Sequence, residues 1–127
     1  MFELNGKKVI KAVYTGLETD EIISMFAEVN AIVLASGQEI YGLADFRGVS
    51  EDLKILEYLQ NDESKAAAEK FSAIATVGLN GMKRLFLNVY NRVTKSNARL
   101  FKSEDEALNW LNAQTEEAVA SGWAFDN

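Results

Sequence analysis

The sequence predicts one α/β domain, and three observations carry that prediction. Strand-like and helix-like hydrophobic periods alternate along the chain, glycine and Asn-Gly pairs punctuate the changes of period, and the length suits one core. At 127 residues, with 48% hydrophobic and 25% charged side chains, the composition is that of an ordinary globular protein.

Phe2 to Leu4 and Lys8 to Tyr14 flank Asn5-Gly6, the pair that most readily takes the positive φ angles of a tight turn, which predicts a first hairpin. Within Val9 to Tyr14, Ile10, Ala12 and Tyr14 form an apolar face, and Val9, Lys11 and Val13 a mixed one. Thr19 is the expected N-cap of a first helix. Asp20 and Glu21 suit its positive end, and Ile22, Phe26, Val29 and Val33 recur at helical spacing until Ser36-Gly37. Glu39 to Phe46, EIYGLADF, reads as a strand apolar on both faces, with Asp45 near its C-terminal end. Arg47-Gly48 turns the chain. Ser50 is expected to cap a second helix with Glu51 and Asp52 in its first turn and Leu53, Leu56 and Leu59 as its buried stripe.

Asn61 to Lys70, NDESKAAAEK, holds good helix formers but no large apolar side chain, which predicts an exposed helical extension or a break near Asn61-Asp62. Ser72 to Val77 is the next strand. Gly78-Leu79-Asn80-Gly81 then turns into a third helix, in which Met82, Leu85, Phe86, Val89, Tyr90 and Val93 keep helical spacing. Ala98 to Phe101 is a short last strand. Ser103 and Glu106 form a capping box for a final helix that turns Ala107, Trp110 and Leu111 inward. The tail from Thr115 to Asn127 either continues that helix to Ser121, with Gly122 as its stop, or is loose.

Composition excludes much chemistry. With no cysteine and no histidine there is no thiolate nucleophile, no disulfide, no cysteine metal site and no imidazole base, so neither metal nor cofactor is expected. No apolar run approaches the roughly 18 residues of a membrane span, and MFELNGKKVIKAV lacks the apolar block of a signal peptide, which makes the cytoplasm the expected address. Nineteen acidic against thirteen basic residues, a formal net charge of -6, argue against indiscriminate binding to nucleic acid or anionic membrane. Yet Lys70 to Lys102 contains no acidic residue at all.

Three segments carry a family resemblance: a strand ending in Asp45, a Val-Gly-x-x-Gly turn at Val77 to Gly81, and a closing Phe-x-Ser-x-x-x-Ala-x-x-Trp-Leu segment at Phe101 to Leu111. In these the chain resembles the SpoIIAA-like branch of the STAS superfamily, over most of Val9 to Leu111 and most specifically over 71–111. The resemblance implies a single domain with a four- or five-stranded mixed sheet and about four helices packed mainly on one face, similar to STAS and CRAL-TRIO domains. Anti-sigma factor antagonists of the superfamily carry a phosphorylated Asp-Ser-Ser-Gly motif after this kind of strand. This chain has Arg47-Gly48-Val49-Ser50 there, so Ser50 is at best a displaced counterpart.

Gly78-x-x-Gly81 at a helix start, followed by Lys83 and Arg84, is the nearest thing to an anion site. It lacks the third glycine of a dinucleotide fingerprint and the Gly-Lys-Ser/Thr ending of a P-loop, and a tight strand-to-helix turn accounts for it without a ligand. If the strands ending at Phe46 and Val77 lie parallel, Asp45, Arg47 and Ser50 emerge on the same sheet edge as Asn80, Gly81, Lys83 and Arg84, where open α/β sheets bind ligands. The plainer account is that Asp45 and Asn80 cap helices and Arg47 pairs with a carboxylate. The basic set Lys83, Arg84, Arg92, Lys95, Arg99 and Lys102 is either a solvated helix face or a surface for an acidic partner or an anionic lipid. Nucleic acid is not expected. Trp110, Phe86 and Tyr90 read as core, and Trp123 and Phe125 as tail residues that could serve a dimer interface.

The favoured reading is a non-enzymatic regulatory or protein-interaction domain that binds a partner, or itself, through Asp45, Arg47, Ser50, Asn80, Gly81, Lys83 and Arg84. The alternative is a carrier of a small lipid or anionic ligand in a cleft under the third helix, by similarity to CRAL-TRIO domains. A third reading is an acid–base enzyme built on Asp45 with Tyr41 or Lys83, which requires Asp45 to face a ligand-sized space.

Overall fold

The structure, a computed structural model, describes residues 2–4, 6–49, 52–78, 87–88, 90–92 and 98–119. The elements run β1 (Phe2–Leu4), β2 (Lys7–Val13), α1 (Thr19–Ala35), β3 (Ile40–Asp45), α2 (Leu53–Leu59), α3 (Asp62–Lys70), β4 (Phe71–Val77), β5 (Arg99–Phe101) and α4 (Glu104–Val119). Leu87, Asn88 and Tyr90 to Arg92 are also helical. Among the described residues no helix is long and apolar enough to cross a membrane.

The five strands form one mixed sheet in the order β1-β2-β3-β4-β5. Only β1 is antiparallel to its neighbour, joined to β2 through Gly6 at φ +78°, a conformation that glycine takes without steric cost. The pairs β2–β3, β3–β4 and β4–β5 are parallel, which meets the condition for the loops after β3 and β4 to share one edge. In parallel strands the side chains of both faces are covered, and the near-continuous burial of Ile40 to Leu43 and Ala75 to Val77 follows from that.

Val9, Tyr41, Leu43, Ala75 and Val77 face α4, whose Ala107 and Leu111 are both 0% exposed. Ile10, Ala12, Tyr14 and Ile40 face the opposite way, against Ile22, Phe26 and Val33 of α1, Ile55 of α2 and Ala67 of α3. Helices therefore lie mainly on one face, as the resemblance implies.

Four local expectations are corrected. The N-cap of α1 is Glu18, whose backbone N–H donates to Glu21 Oε1 at 2.9 Å. Thr19 lies inside the helix and donates its hydroxyl to Asp52 Oδ2 at 2.8 Å. That same carboxylate accepts from Lys54 N, which makes Asp52 rather than Ser50 the cap of α2 and shortens that helix to Leu53–Leu59. The shift rotates its buried stripe: Ile55 is enclosed, Leu56 and Leu59 are half-buried, and Leu53 is 65% exposed.

The fourth correction concerns 61–70. A break does occur, with Asn61 Oδ1 accepting from Ser64 N at 2.7 Å to start α3, but the helix is not an exposed extension. Ser64, Ala67 and Ala68 are buried. Small side chains let α3 approach α1 closely, where Asn30 Nδ2 donates to Ser64 Oγ at 3.1 Å. Lys70 Nζ then donates to Leu34 O and Ser36 O, satisfying carbonyls at the C-terminal end of α1.

Candidate functional site

Parallel pairing of β3 and β4 brings their C-terminal loops to one edge of the sheet. Phe46 N donates to Val77 O at 2.8 Å and Tyr14 N to Asp45 O at 2.9 Å, which carries strand-like pairing just past the ends of the strands. The chain then turns at Arg47-Gly48, where Thr15 Oγ1 donates to Arg47 O at 2.6 Å. Gly78 closes the edge from the β4 side. Its φ of +86° favours glycine, and a Cβ there would stand 2.5 Å from Arg47 N and 2.7 Å from Arg47 Cα. The first glycine of the turn is thus fixed by the backbone of the neighbouring loop.

Asp45 ends β3 with its side chain 5% exposed, and Arg47 lies above it with its side chain 55% exposed. Oδ1 accepts from Arg47 N at 3.0 Å and Nε at 2.9 Å, and Oδ2 accepts from Nη2 at 2.6 Å. These guanidinium bonds hold the Asp45 carboxyl below its ordinary pKa against the opposing effect of burial. Lys11 and Glu104 pair at 2.8 Å nearby, and both act electrostatically on this site, Lys11 on Asp45 and Glu104 on Arg47. An anion can approach the outer side of the guanidinium, whose inner side is committed to Asp45.

Of the predicted site residues, the structure brings Asp45 and Arg47 together; the pairing of Arg47 with a carboxylate is the one the plainer account named. Asp45 caps no helix among the described residues. Ser50, Asn80, Gly81, Lys83 and Arg84 lie outside the described residues, as do Lys95, Phe86, Trp123 and Phe125. Of the remaining basic set, Arg92, Arg99 and Lys102 are exposed, and Arg99 stacks over the Trp110 ring at 5.6 Å. Sequence reasoning missed Thr15, Lys11 and Glu104 because nothing in their spacing joins them before the register is known. Among the described residues no group of three or more carboxylates comes together to hold a metal ion.

Among the described residues Asp45 lines neither of the two cavities found. A cavity of about 140 Å³ lies on the other face of the sheet, between Ala12, Ala44 and Thr76 below and Phe26, Ile55 and Leu87 above. Tyr90 borders it too, as the predicted third helix required.

A family model described as SpoIIAA-like matches residues 9–112. No curated protein and no solved structure matches the chain.

Proposed function

Since the chain belongs to the SpoIIAA-like family, of STAS type, we propose that it is a non-enzymatic regulatory domain that binds a protein partner, or a second copy of itself. The binding surface is the edge formed by the loops after β3 and β4. Arg47 is its exposed cation, Asp45 its buried anchor, and Ser50, Asn80, Gly81, Lys83 and Arg84 complete it from the adjoining chain.

The observation that carries this reading is the contact of Gly78 with the Arg47 backbone, because it fixes the two loops against each other and presents a half-exposed guanidinium already oriented by Asp45. A preoriented cation loses less side-chain freedom on meeting an acidic partner than a free one does. An acid–base enzyme is disfavoured on the same geometry. Both oxygens of Asp45 are engaged by Arg47, and its depressed pKa leaves it a weak base at neutral pH. Carriage of a whole lipid is disfavoured by size, since about 140 Å³ is well below the roughly 300–1,000 Å³ of small-molecule sites.

Native mass spectrometry of the protein purified gently from its host tests the proposal, because it reads partner, ligand, modification and oligomer together. A homodimer or a defined complex is expected, weakened by charge reversal at Lys83 and Arg84 and by Arg47→Glu. A complex indifferent to all three substitutions would overturn the assignment of this edge.

A further inference from the structure

The sheet ends in two strands that pair on one side only, β1 and β5. Such an edge leaves main-chain N–H and C=O groups turned outward, where another strand can meet them. The two edges differ in charge. On β1, Glu3 lies beside Lys8 in the register, so both signs are present together. Along β5 the charge has one sign. Arg99 is exposed on the strand itself, Lys102 is exposed just past its end, and Arg92 is exposed on the helical stretch that precedes it. No acidic residue occurs from Lys70 to Lys102.

The molecule itself shows what this edge accepts. Asn91 Nδ2 donates to Ala98 O at 3.0 Å, and Ala98 N donates to Asn91 Oδ1 at 3.1 Å. One side-chain amide thus pairs both main-chain groups of Ala98, as a neighbouring strand would. Among the described residues no further strand pairs with Arg99–Phe101 from outside. The inner side of β5 is held to β4, with Thr76 Oγ1 donating to Arg99 O at 2.9 Å. On the face toward α4 the Arg99 guanidinium stands 5.6 Å from the centre of the Trp110 ring, and the Phe101 ring stands 5.5 Å from it, which keeps the cation beside the strand.

We propose that β5 is a docking edge for an acidic, extended segment of a partner protein, which adds to the sheet as one more strand. Main-chain hydrogen bonds supply the pairing, and carboxylates of the segment meet Arg92, Arg99 and Lys102. Charge selects this occupant over a second copy of the chain. Symmetric pairing of two β5 edges would bring Arg92, Arg99 and Lys102 of both copies together, and like charges across such a pair repel. The surface is the side of the sheet, distinct from the loops that carry Arg47.

The test is a titration of the full chain with a short capped peptide of alternating Glu and Val, followed by amide-resolved NMR at low salt. Saturable shifts are expected at Arg99, Leu100 and Phe101, with Phe2 to Leu4 unmoved, and they should weaken as added salt screens the charges. The same peptide with N-methyl groups on two consecutive central amides keeps its carboxylates but cannot pair along either of its own edges, and should bind at least about tenfold more weakly. Arg99→Glu combined with Lys102→Glu should weaken binding by a similar factor, whereas Arg47→Glu should leave it unchanged. If Arg99→Glu does not fold, Arg92→Glu with Lys102→Glu takes its place, with the same direction of effect. No saturable shifts, shifts centred on β1 or on the loop at Arg47, or equal binding of the N-methylated peptide would overturn the proposal. A dimer of the free chain paired through β5 would overturn it as well, because the edge would then belong to a second copy.

Discussion

The two faces of the sheet solve the same packing problem differently. On one, a single helix is sealed against Val9, Tyr41, Leu43, Ala75 and Val77 by Ala107 and Leu111, neither of which touches solvent. On the other, three described helices and the helical residues around Leu87 cover the sheet, yet a hollow persists. More covering chain gives looser packing because the sheet residues differ: Leu43 and Val77 on the tight side stand against Ala12, Gly42 and Ala44 on the hollow one. A helix tethered at several points, as α1 is, cannot sink into the gap that small side chains leave, whereas α4 fits at alanine distance against larger ones.

Truncation on each side gives the largest expected contrast. Leu111→Ala removes a fully enclosed side chain from the tight face and should cost about 3–5 kcal/mol, read as the loss of unfolding free energy in urea. Ile55→Ala enlarges a space that already exists, so fewer contacts are lost and about 2 kcal/mol is expected. Equal losses would break the comparison.

The two constrained glycines come next. Gly78→Ala places a methyl against the Arg47 backbone in a positive-φ conformation and should cost about 1–3 kcal/mol, because backbone on both sides must yield. At Gly42 the added methyl would meet only the Phe71 ring, at 3.0 Å, and that ring borders the cavity into which it can turn. Gly42→Ala should therefore change stability by less than about 1 kcal/mol. A costlier Gly42→Ala would show that Phe71 is held in place.

Filling sharpens the contrast. Ala75→Val overpacks the tight face and should cost about 1–2 kcal/mol, while Ala44→Val grows into free volume and should stay within about 0.5 kcal/mol of the starting protein. Urea midpoints at unchanged slope would separate the two.

Much of this architecture was legible in the sequence, for identifiable reasons. Strand positions and the inward turn of Ala107 and Leu111 follow from hydrophobic period and turn residues, signals that tertiary packing reinforced, whereas the parallel pairing of β3 and β4 entered only as a condition. The misreadings occurred where two polar residues competed for one role or where burial used no large side chain. Asp52 displaced Ser50 as the α2 cap because its carboxylate also accepts from Thr19, a residue 33 positions away. Ser64, Ala67 and Ala68 are buried by close helix approach, which a search for bulky apolar residues overlooks. The hollow was invisible because Ala12, Ala44 and Thr76 become neighbours only through register. At the charged edge, the sequence could name Asp45 and Arg47, but Gly78 as the residue that locks them depended on a backbone contact between distant loops.

The last contrast concerns charge, and it separates the faces by pH. The described cavity lining holds no charged side chain, whereas the α4 side carries Lys11, Asp45, Arg47 and Glu104 near one another. Asp45 titrates below its ordinary value of 3.8 because Arg47 hydrogen-bonds its ionised form. A carboxyl whose folded pKa is depressed adds stability that is present above the unfolded value and is lost as pH falls through the folded one. Arg47→Met keeps much of the aliphatic stem and removes the guanidinium, leaving Asp45 buried with its main partner gone and its pKa pushed upward by burial. The gap in unfolding free energy between the two proteins should therefore be widest near neutral pH and close as pH falls through 3.8 and below. Ala44→Val should show no such pH dependence relative to its parent. A gap at Arg47 that stays constant from neutral to acidic pH would mean that its stem, packed over Gly78, stabilises this edge more than its charge does.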